Sequence, residues 1–200
     1  MGKTVEYFLS PVSPWTYLGH ARFAAMAKRH GAVVKVKPAD LGKIFPVSGG
    51  LPLAKRAPQR QAYRLMELKR FREYLKLPLN LQPKFFPVPA DLAAQFIVAA
   101  GRAGGTDAAM QLAGAVLRAC WAEDRDVSDA ATLNAICSEQ GMDAAALAAA
   151  AQSDAVKAEY AGYTQEAIDR GVFGAPSYII GEEIFWGQDR LDFVERALAG

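Results

Sequence analysis

The feature that most constrains the fold is an apolar segment at residues 5–9 followed closely by Ser13-Pro14 and the sequence Trp15-Thr16-Tyr17-Leu18-Gly19. This pattern predicts a strand over about residues 5–12 that turns sharply into a helix over about residues 14–29. Pro14 suits the first helical position, where its missing N–H costs nothing, and Ser13 suits the N-cap. The unpaired N–H groups of such a first turn attract an anion such as a thiolate.

Cysteines in place of Ser13 and Thr16 would turn this motif into Cys-Pro-Trp-Cys, a thioredoxin-type redox site. The chain has the frame of that site without its sulfurs, which suggests a protein that uses the thiol of a bound cofactor. The alternative is an ordinary helix cap, because short motifs also match by chance. Ser10 precedes a proline as well, but the helical register of the residues from Trp15 onward favours Ser13.

Composition narrows the class of protein. The 200 residues are 52% hydrophobic and carry a net charge of +2, which suits one large domain or one domain with an insertion. So small a charge indicates neither a nucleic-acid partner nor an anionic membrane surface. No apolar run is long enough to cross a bilayer, and the N-terminus lacks a signal-peptide pattern. We therefore expect a cytoplasmic protein.

The cysteines and histidines predict packing rather than chemistry. Cys120 and Cys137 lie in helical apolar patterns and are not spaced as a pair, so we expect buried free thiols. His20 and His30 lie far from them in sequence, which argues against a metal site. We expect the two histidines to pack against their neighbours or to cap the end of the first helix.

The order of predicted elements gives the fold class. A strand at 33–37 follows the first helix, and the strand-helix-strand unit implies a parallel pair with a right-handed crossover. The C-terminal part reads as helix, strand, turn, strand and helix, over about 154–170, 177–180, 181–183, 184–186 and from Asp189 onward. We predict an α/β thioredoxin-like fold in which residues 1–45 and 153–200 form the thioredoxin-like domain and residues 46–152 form an inserted helical domain.

Within the insertion, residues 38–58 and 77–89 are rich in proline or glycine and predict irregular structure. A helix is predicted over about 58–75, and the Ala-rich stretch 90–151 predicts closely packed helices. Breaks are expected at Gly101, Gly104-Gly105, Asp126 and Gly141. Helix N-caps are expected at Asp107, Ser128 and Asp143.

Two further segments would meet Ser13 in such a fold. Pro176 stands where these folds place a cis-proline opposite the first helix, so that Ala175 could pair with an extended peptide; the alternative is a trans proline that starts an edge strand. In 187–190, Asp189 could bind an ammonium group while Gln188 and helix N–H groups bind a carboxylate; the alternative is a plain Asp N-cap. A thiol, a peptide backbone and an amino-acid-like end together describe glutathione.

Three segments in this order resemble the 2-hydroxychromene-2-carboxylate isomerases: 13–18, 171–176 and 185–191. That family groups with kappa-class glutathione transferases and is similar in fold to the periplasmic disulfide oxidoreductases. The resemblance covers essentially the whole chain and implies a homodimer with reduced glutathione as cofactor. The cofactor-binding residues would be Ala175, Pro176, Trp186, Gly187, Gln188 and Asp189.

The resemblance also implies a mechanism. The Ser13 hydroxyl would donate a hydrogen bond to the glutathione sulfur and lower its pKa. The thiolate would add to the conjugated substrate, allow rotation and leave, giving trans-o-hydroxybenzylidenepyruvate and regenerating glutathione. The alternatives are a kappa-like glutathione transferase acting on another electrophile and a non-catalytic protein that keeps only the fold. A disulfide oxidoreductase is disfavoured because the motif has no cysteine.

The substrate would be a small aromatic carboxylate, which needs a basic partner. Lys43 and Arg60 are the predicted substrate-binding residues, chosen from a set that also includes Lys55 and Arg56. The chain departs from its relatives on this side. Relatives commonly carry Asn in the loop that has Gly50 here and after the Phe-Pro that is followed here by Val88, and the first helix of the isomerases begins Ser-Pro-Phe-Ser. The sequence thus supports glutathione binding more strongly than a particular substrate.

Overall fold

A four-stranded mixed sheet forms the centre of the molecule in a computed structural model that describes residues 2–200. The strand order is β2-β1-β3-β4. Strand β1 (Thr4–Leu9) pairs parallel with β2 (Val33–Pro38) and antiparallel with β3 (Ser177–Ile180), which pairs antiparallel with β4 (Glu183–Trp186). The predicted α/β thioredoxin-like sheet, with its parallel crossover and C-terminal hairpin, is confirmed.

Alternate residues of β1 face two different layers of helices, as the period of a strand requires. Tyr7 stacks on Tyr178 with ring centroids 5.3 Å apart, and both rings pack on Phe23 at 4.7 and 4.6 Å. Phe8, on the opposite face, packs in a smaller cluster with Ile44. The sheet is therefore covered on both faces.

Helix α1 (Pro14–Arg29) has the predicted bounds, with Ser13 as its N-cap and His30 as its C-cap. The local signals suffice here, since Pro14 starts the helix and Gly31 follows it with a φ of 57°. His20 is buried. Its Nδ1 lies 3.1 Å from the Tyr7 hydroxyl, and its Nε2 lies 2.9 Å from the Met110 carbonyl oxygen. Packing and capping are therefore the roles of the two histidines.

The prediction of irregular structure over residues 38–58 is wrong in part. Helix α2 (Leu41–Ser48) lies there and is followed by a short 3-10 turn, Leu53–Lys55. Asp40 caps α2 by accepting a hydrogen bond from the Gly42 N–H at 2.7 Å, and Pro46 lies inside the helix. The sequence signal failed because an internal proline argues against a helix. The expected domain boundary after residue 45 falls within α2.

The helical insertion between β2 and β3 continues with α3 (Pro58–Leu75), α4 (Asp91–Ala122), α5 (Ala130–Glu139), α6 (Ala144–Ala151) and α7 (Asp154–Asp169). Many alanines of α4 are buried in the main core, which confirms close packing of the Ala-rich helices. Helix α4 runs through Gly101 without a break but departs from helical geometry at Gly105, where φ is 74°.

The predicted caps are confirmed only at Asp143, which accepts a hydrogen bond from the Ala146 N–H at 3.0 Å. Asp129, not Ser128, caps α5, because Ser128 bonds instead to Asp126. Asp107 is not at the cap position, because it lies two residues after the interruption of α4 at Gly105 and already has helical backbone angles.

The chain ends with a 3-10 turn, Gln188–Arg190, and helix α8 (Leu191–Ala199). This helix starts two residues later than predicted. Across residues 2–200, no helix is both long enough and apolar enough to cross a membrane.

Candidate active site

The Ser13 hydroxyl joins the first turn of α1 to the loop before β3. Its Oγ accepts a hydrogen bond from the Thr16 N–H at 3.2 Å and donates one to the Ala175 carbonyl oxygen at 3.3 Å. Ser13 is 7% exposed. The Ala175 contact is long for an O–H···O hydrogen bond, whose usual distance is about 2.7–2.8 Å, so the hydroxyl can exchange it for a better acceptor.

The loop before β3 presents backbone groups beside this hydroxyl. The Ala175–Pro176 peptide bond is cis, as the sequence predicted. The Pro176 carbonyl accepts a hydrogen bond from the Gly187 N–H at 2.9 Å, whereas the Ala175 N–H has no partner within residues 2–200. An unpaired N–H and a weakly held carbonyl at one residue are what an added peptide strand requires.

The hydrogen bond from Gly187 to Pro176 places segment 186–189 next to the loop before β3. Gly187 has a φ of 107°, which a side chain rarely permits, and a Cβ there would lie 2.5 Å from Asp189 Oδ1. The carboxylate of Asp189 is half-exposed and pairs with Arg190 at 2.8 Å. Trp186 is half-exposed and packs on Phe173 at 4.7 Å. This corner therefore combines an aromatic surface with an accessible carboxylate.

Gln188 is oriented differently from the sequence-based expectation. Its side chain is buried, and its Oε1 accepts a hydrogen bond from Arg22 at 2.8 Å. Its Nε2 is buried without a partner in the described part of the chain. A Cβ at Gly19 would lie 2.8 Å from the Gln188 Cβ, so Gly19 permits this close approach. The residue is thereby fixed against α1, and its backbone N–H is the group left for a ligand.

The predicted substrate-binding residues are not brought against Ser13. Lys43 on α2 and Arg60 in the first turn of α3 are both exposed. Lys55 is exposed as well. Arg56 is partly buried, donates to the Leu51 carbonyl at 2.8 Å and lies 5.9 Å from the Phe45 ring. The basic residues surround the start of α3 rather than converge on the hydroxyl.

The sequence interpretation missed Arg64. Its guanidinium lies 5.3 Å from the Phe86 ring and 5.6 Å from the Trp121 ring, and Nη2 is buried without a partner among residues 2–200. Burial, and then the charge of Arg56, lower the pKa of Arg64 to about 10. Arg64 lies one helical turn after Arg60, but this spacing alone is a weak sign of a binding residue. The aromatic residues that cover Arg64 are far away in sequence, so a local pattern could not reveal them.

Neither cysteine is placed to react. Both are free and buried, as predicted. Burial is the main cause that raises the pKa of Cys120 to about 12 and that of Cys137 to about 11, so both thiols stay protonated near neutral pH. Burial also lowers the pKa of His20, partly offset by its bond to Met110. A sulfur nucleophile at Ser13 would therefore have to come from a ligand.

Two cavities lie away from this site. One, of about 400 Å³, lies between α4 and α5, and its charged side chains already pair with one another, as in the 2.8 Å contact of Arg125 with Glu139. The other, of about 490 Å³, runs along β2 and contains Lys37 paired with Glu166. Neither includes the hydroxyl or the peptide groups described above, so we place the candidate site at Ser13.

Comparison with known proteins agrees with this fold. A family model described as a DSBA-like thioredoxin domain matches residues 4–199. A 2-hydroxychromene-2-carboxylate isomerase from Sphingobium xenophagum is 30% identical over 199 residues, covering 99% of each chain. Glutathione S-transferase kappa 1 from Homo sapiens is 22% identical, covering 98% of this chain and 91% of the human protein.

A solved structure shows the same architecture. The structure of a 2-hydroxychromene-2-carboxylate isomerase superposes with a TM-score of 0.82 at 25% identity, covering 98% of this chain and 94% of that one. The chain belongs to the DSBA-like thioredoxin domain family and, within it, to the group that contains the 2-hydroxychromene-2-carboxylate isomerases.

Proposed function

We propose that this protein is a glutathione-dependent isomerase that converts 2-hydroxychromene-2-carboxylate to trans-o-hydroxybenzylidenepyruvate. The observation that carries the proposal is the Ser13 hydroxyl at the N-terminus of α1, 3.3 Å from the Ala175 carbonyl oxygen. The names of the relatives, an isomerase of this substrate and a kappa-class glutathione transferase, support the reaction and the cofactor.

The residues present fit glutathione. The unpaired N–H and the carbonyl of Ala175 can pair with the backbone of its cysteinyl residue. Asp189 can pair with the γ-glutamyl ammonium. The N–H groups of Gln188 and Asp189, which begin the 3-10 turn, can donate to its carboxylate. Trp186 and Gly187 shape this corner, and Pro176 holds the loop that carries Ala175.

Ser13 stabilises negative charge on the cofactor. When the Ala175 carbonyl pairs with a peptide, the Ser13 hydroxyl is released to donate toward a sulfur at the helix N-terminus. A donor to the charged form, together with the helix dipole, lowers a thiol pKa from its free value of about 8.5. When bound, glutathione supplies the thiolate that adds to the conjugated substrate and leaves after rotation.

The test is turnover by the purified protein. Mixing it with reduced glutathione and 2-hydroxychromene-2-carboxylate should shift the ultraviolet spectrum toward the trans product, and omitting glutathione should abolish the shift. Millimolar glutathione should also raise the melting temperature, because a ligand that binds only the native state stabilises it. A rate equal to background would reject the substrate, and an unchanged melting temperature would favour a protein that keeps only the fold.

A kappa-like glutathione transferase acting on another electrophile is the second candidate, and Gly50 favours it. A Cβ at this position would lie 2.4 Å from the Phe45 ring, so Phe45 would have to move to admit the amide side chain expected in relatives. Conjugation of a standard aryl halide, with glutathione binding but no isomerisation, would support this candidate. Reduction of insulin disulfides would contradict both.

We also propose a homodimer in a cytoplasm that keeps glutathione reduced, acting in aromatic catabolism. Tyr63, Met66 and Tyr74 are exposed on α3, and exposed apolar side chains on one helix are typical of an interface. Sedimentation equilibrium at micromolar protein should give twice the mass of the chain. Cell fractionation should recover the protein with cytoplasmic markers.

A further inference from the structure

Three arginines gather at the N-terminal half of α3 without a carboxylate partner. Arg56, Arg60 and Arg64 form no ion pair with any acidic group of residues 2–200, whereas Arg70, further along the same helix, pairs with Glu67. They are close enough to affect one another. Besides burial, the charge of Arg60 lowers the pKa of Arg56, and the charge of Arg56 lowers that of Arg64. Such a cluster favours an anion.

Arg64 is partly buried, and its Nη2 atom is fully buried. The Phe86 and Trp121 rings, 4.7 Å apart, both lie within 6 Å of its guanidinium. These contacts fix the direction of the side chain, yet one of its nitrogens has no acceptor. A buried charged donor without an acceptor is unfavourable. A small movement of the side chain that opened this nitrogen to a carboxylate would remove the cost, because the guanidinium could then donate two parallel hydrogen bonds.

Arg64 is connected to the Ser13 side of the molecule. Trp121 donates from Nε1 to the Val12 carbonyl at 3.3 Å, directly before Ser13. Phe71 lies seven residues after Arg64 on the same face of α3 and packs edge-on against Trp15 at 6.2 Å. At 1.5 Å rise per residue, Arg64 lies roughly 10 Å further toward the start of α3. One aromatic side chain thus lies between the guanidinium and the backbone that carries the thiol site.

We propose that Arg64 binds the carboxylate of an aromatic substrate, with its guanidinium supported by Phe86 and the fully buried Trp121 and with Arg56 at the entrance. The proposal rests on the proposed function, because it takes the substrate to be an aromatic carboxylate. It changes the assignment made from the sequence, in which Lys43 and Arg60 had this role. Those two residues are exposed, so they would attract the substrate carboxylate only through long-range charge. Arg64 has the fixed orientation that two hydrogen bonds to one carboxylate need.

The test compares two stable ligands that differ in one charge, chromone-2-carboxylate and chromone-2-carboxamide. Their affinities are measured by isothermal titration calorimetry in the presence of glutathione. We expect wild type to bind the carboxylate at least about tenfold more tightly, since charge-assisted pairs are the stronger ones. Arg64→Gln should abolish this preference, Arg64→Lys should keep part of it, and Arg70→Gln, the matched change on the same helix, should keep all of it.

The outcomes separate this proposal from the proposed function. Loss of the preference in Arg64→Gln, with an unchanged glutathione-dependent rise in melting temperature, supports the carboxylate site. A wild-type protein without the preference overturns it, and so does a preference lost in Arg60→Gln but kept in Arg64→Gln. If Arg64→Gln does not fold, Arg64→Lys provides the test. An Arg64→Lys variant that is less stable than wild type but keeps the full preference and kcat also overturns the proposal. Failure of the proposed function would instead appear as no glutathione effect in wild type.

Discussion

The proposed thiol side and the proposed substrate side of the candidate site are built by different means. On the thiol side, Ser13, Ala175 and residues 187–189 offer mostly backbone groups at a helix start and a strand start. On the substrate side, Arg60 and Arg64 of α3 and Arg56 just before it offer long side chains. Aromatic residues lie against Arg56 and Arg64. Backbone groups stay in place when side chains change, so the first side can persist while the second is altered for a new substrate.

Ser13→Ala tests the proposed thiol side and should have the largest effect. The rate with glutathione should fall on the order of 100-fold, which is the usual cost of one donor to a developing or held anion. The midpoint of the pH–rate profile should also move up toward the free thiol value of about 8.5. Ser10→Ala is the control, since Ser10 lies in the same turn, and initial rates measured from pH 6 to 9 give both quantities. An equal loss in the two variants would contradict the assignment of Ser13.

A second test addresses the backbone of the thiol side. Gly187→Ala should lower the free energy of unfolding by about 1–3 kcal/mol, because an L side chain would be strained at a φ of 107°. It should also weaken glutathione binding by moving Asp189. Gly162→Ala is the matched control. It lies inside α7 with no atom within 4 Å of the added Cβ, so the same change should stabilise by about 0.5–1 kcal/mol. Urea unfolding measures both, and equal effects would refute the role of Gly187.

The buried contacts of His20, which attach α1 to β1 and α4, can be tested by varying the pH. Burial lowers the pKa of His20 below its ordinary value of 6.5, although the bond to Met110 acts in the opposite direction. The unfolded chain therefore binds more protons than the folded one as the pH falls through 6.5, so the free energy of unfolding should decrease there. The contribution of His20 to this slope should not exceed about 1.4 kcal/mol per pH unit, the value for one proton. Urea titrations at pH 5 to 8 should show a shallower slope for His20→Gln; an identical slope would assign the effect to other groups.

The smallest effects are expected at the rim of the substrate side. Lys43→Gln and Arg60→Gln should each raise KM about two- to threefold with little change in kcat, because exposed charges act through solvent. Raising the salt concentration should shrink the difference from wild type. Steady-state kinetics at two ionic strengths is the measurement. A change as large as that of Arg64→Gln would mean that an exposed cation makes the direct contact.

Local signals predicted the elements that hold the thiol side. The bounds of α1 and α3, the strands around Ser177 and the position of Pro176 follow from proline, glycine and apolar patterns within a few residues. Helix α2 was missed because Pro46 outweighed the capping signal of Asp40. At α5 the sequence predicted Ser128 as the cap, but the Ser128 hydroxyl bonds to Asp126 and the neighbouring Asp129 caps the helix.

The strand-to-helix turn at Ser13 could be read from adjacent residues, since a cap, a proline and an apolar strand act over a short distance. Which polar side chains are buried, and where they point, depends on how distant segments pack. Gln188 faces inward because Arg22 holds it, and Arg64 is enclosed because Phe86 and Trp121 meet around it. The burial of a side chain depends on residues that are distant along the chain, so a local sequence pattern cannot predict it.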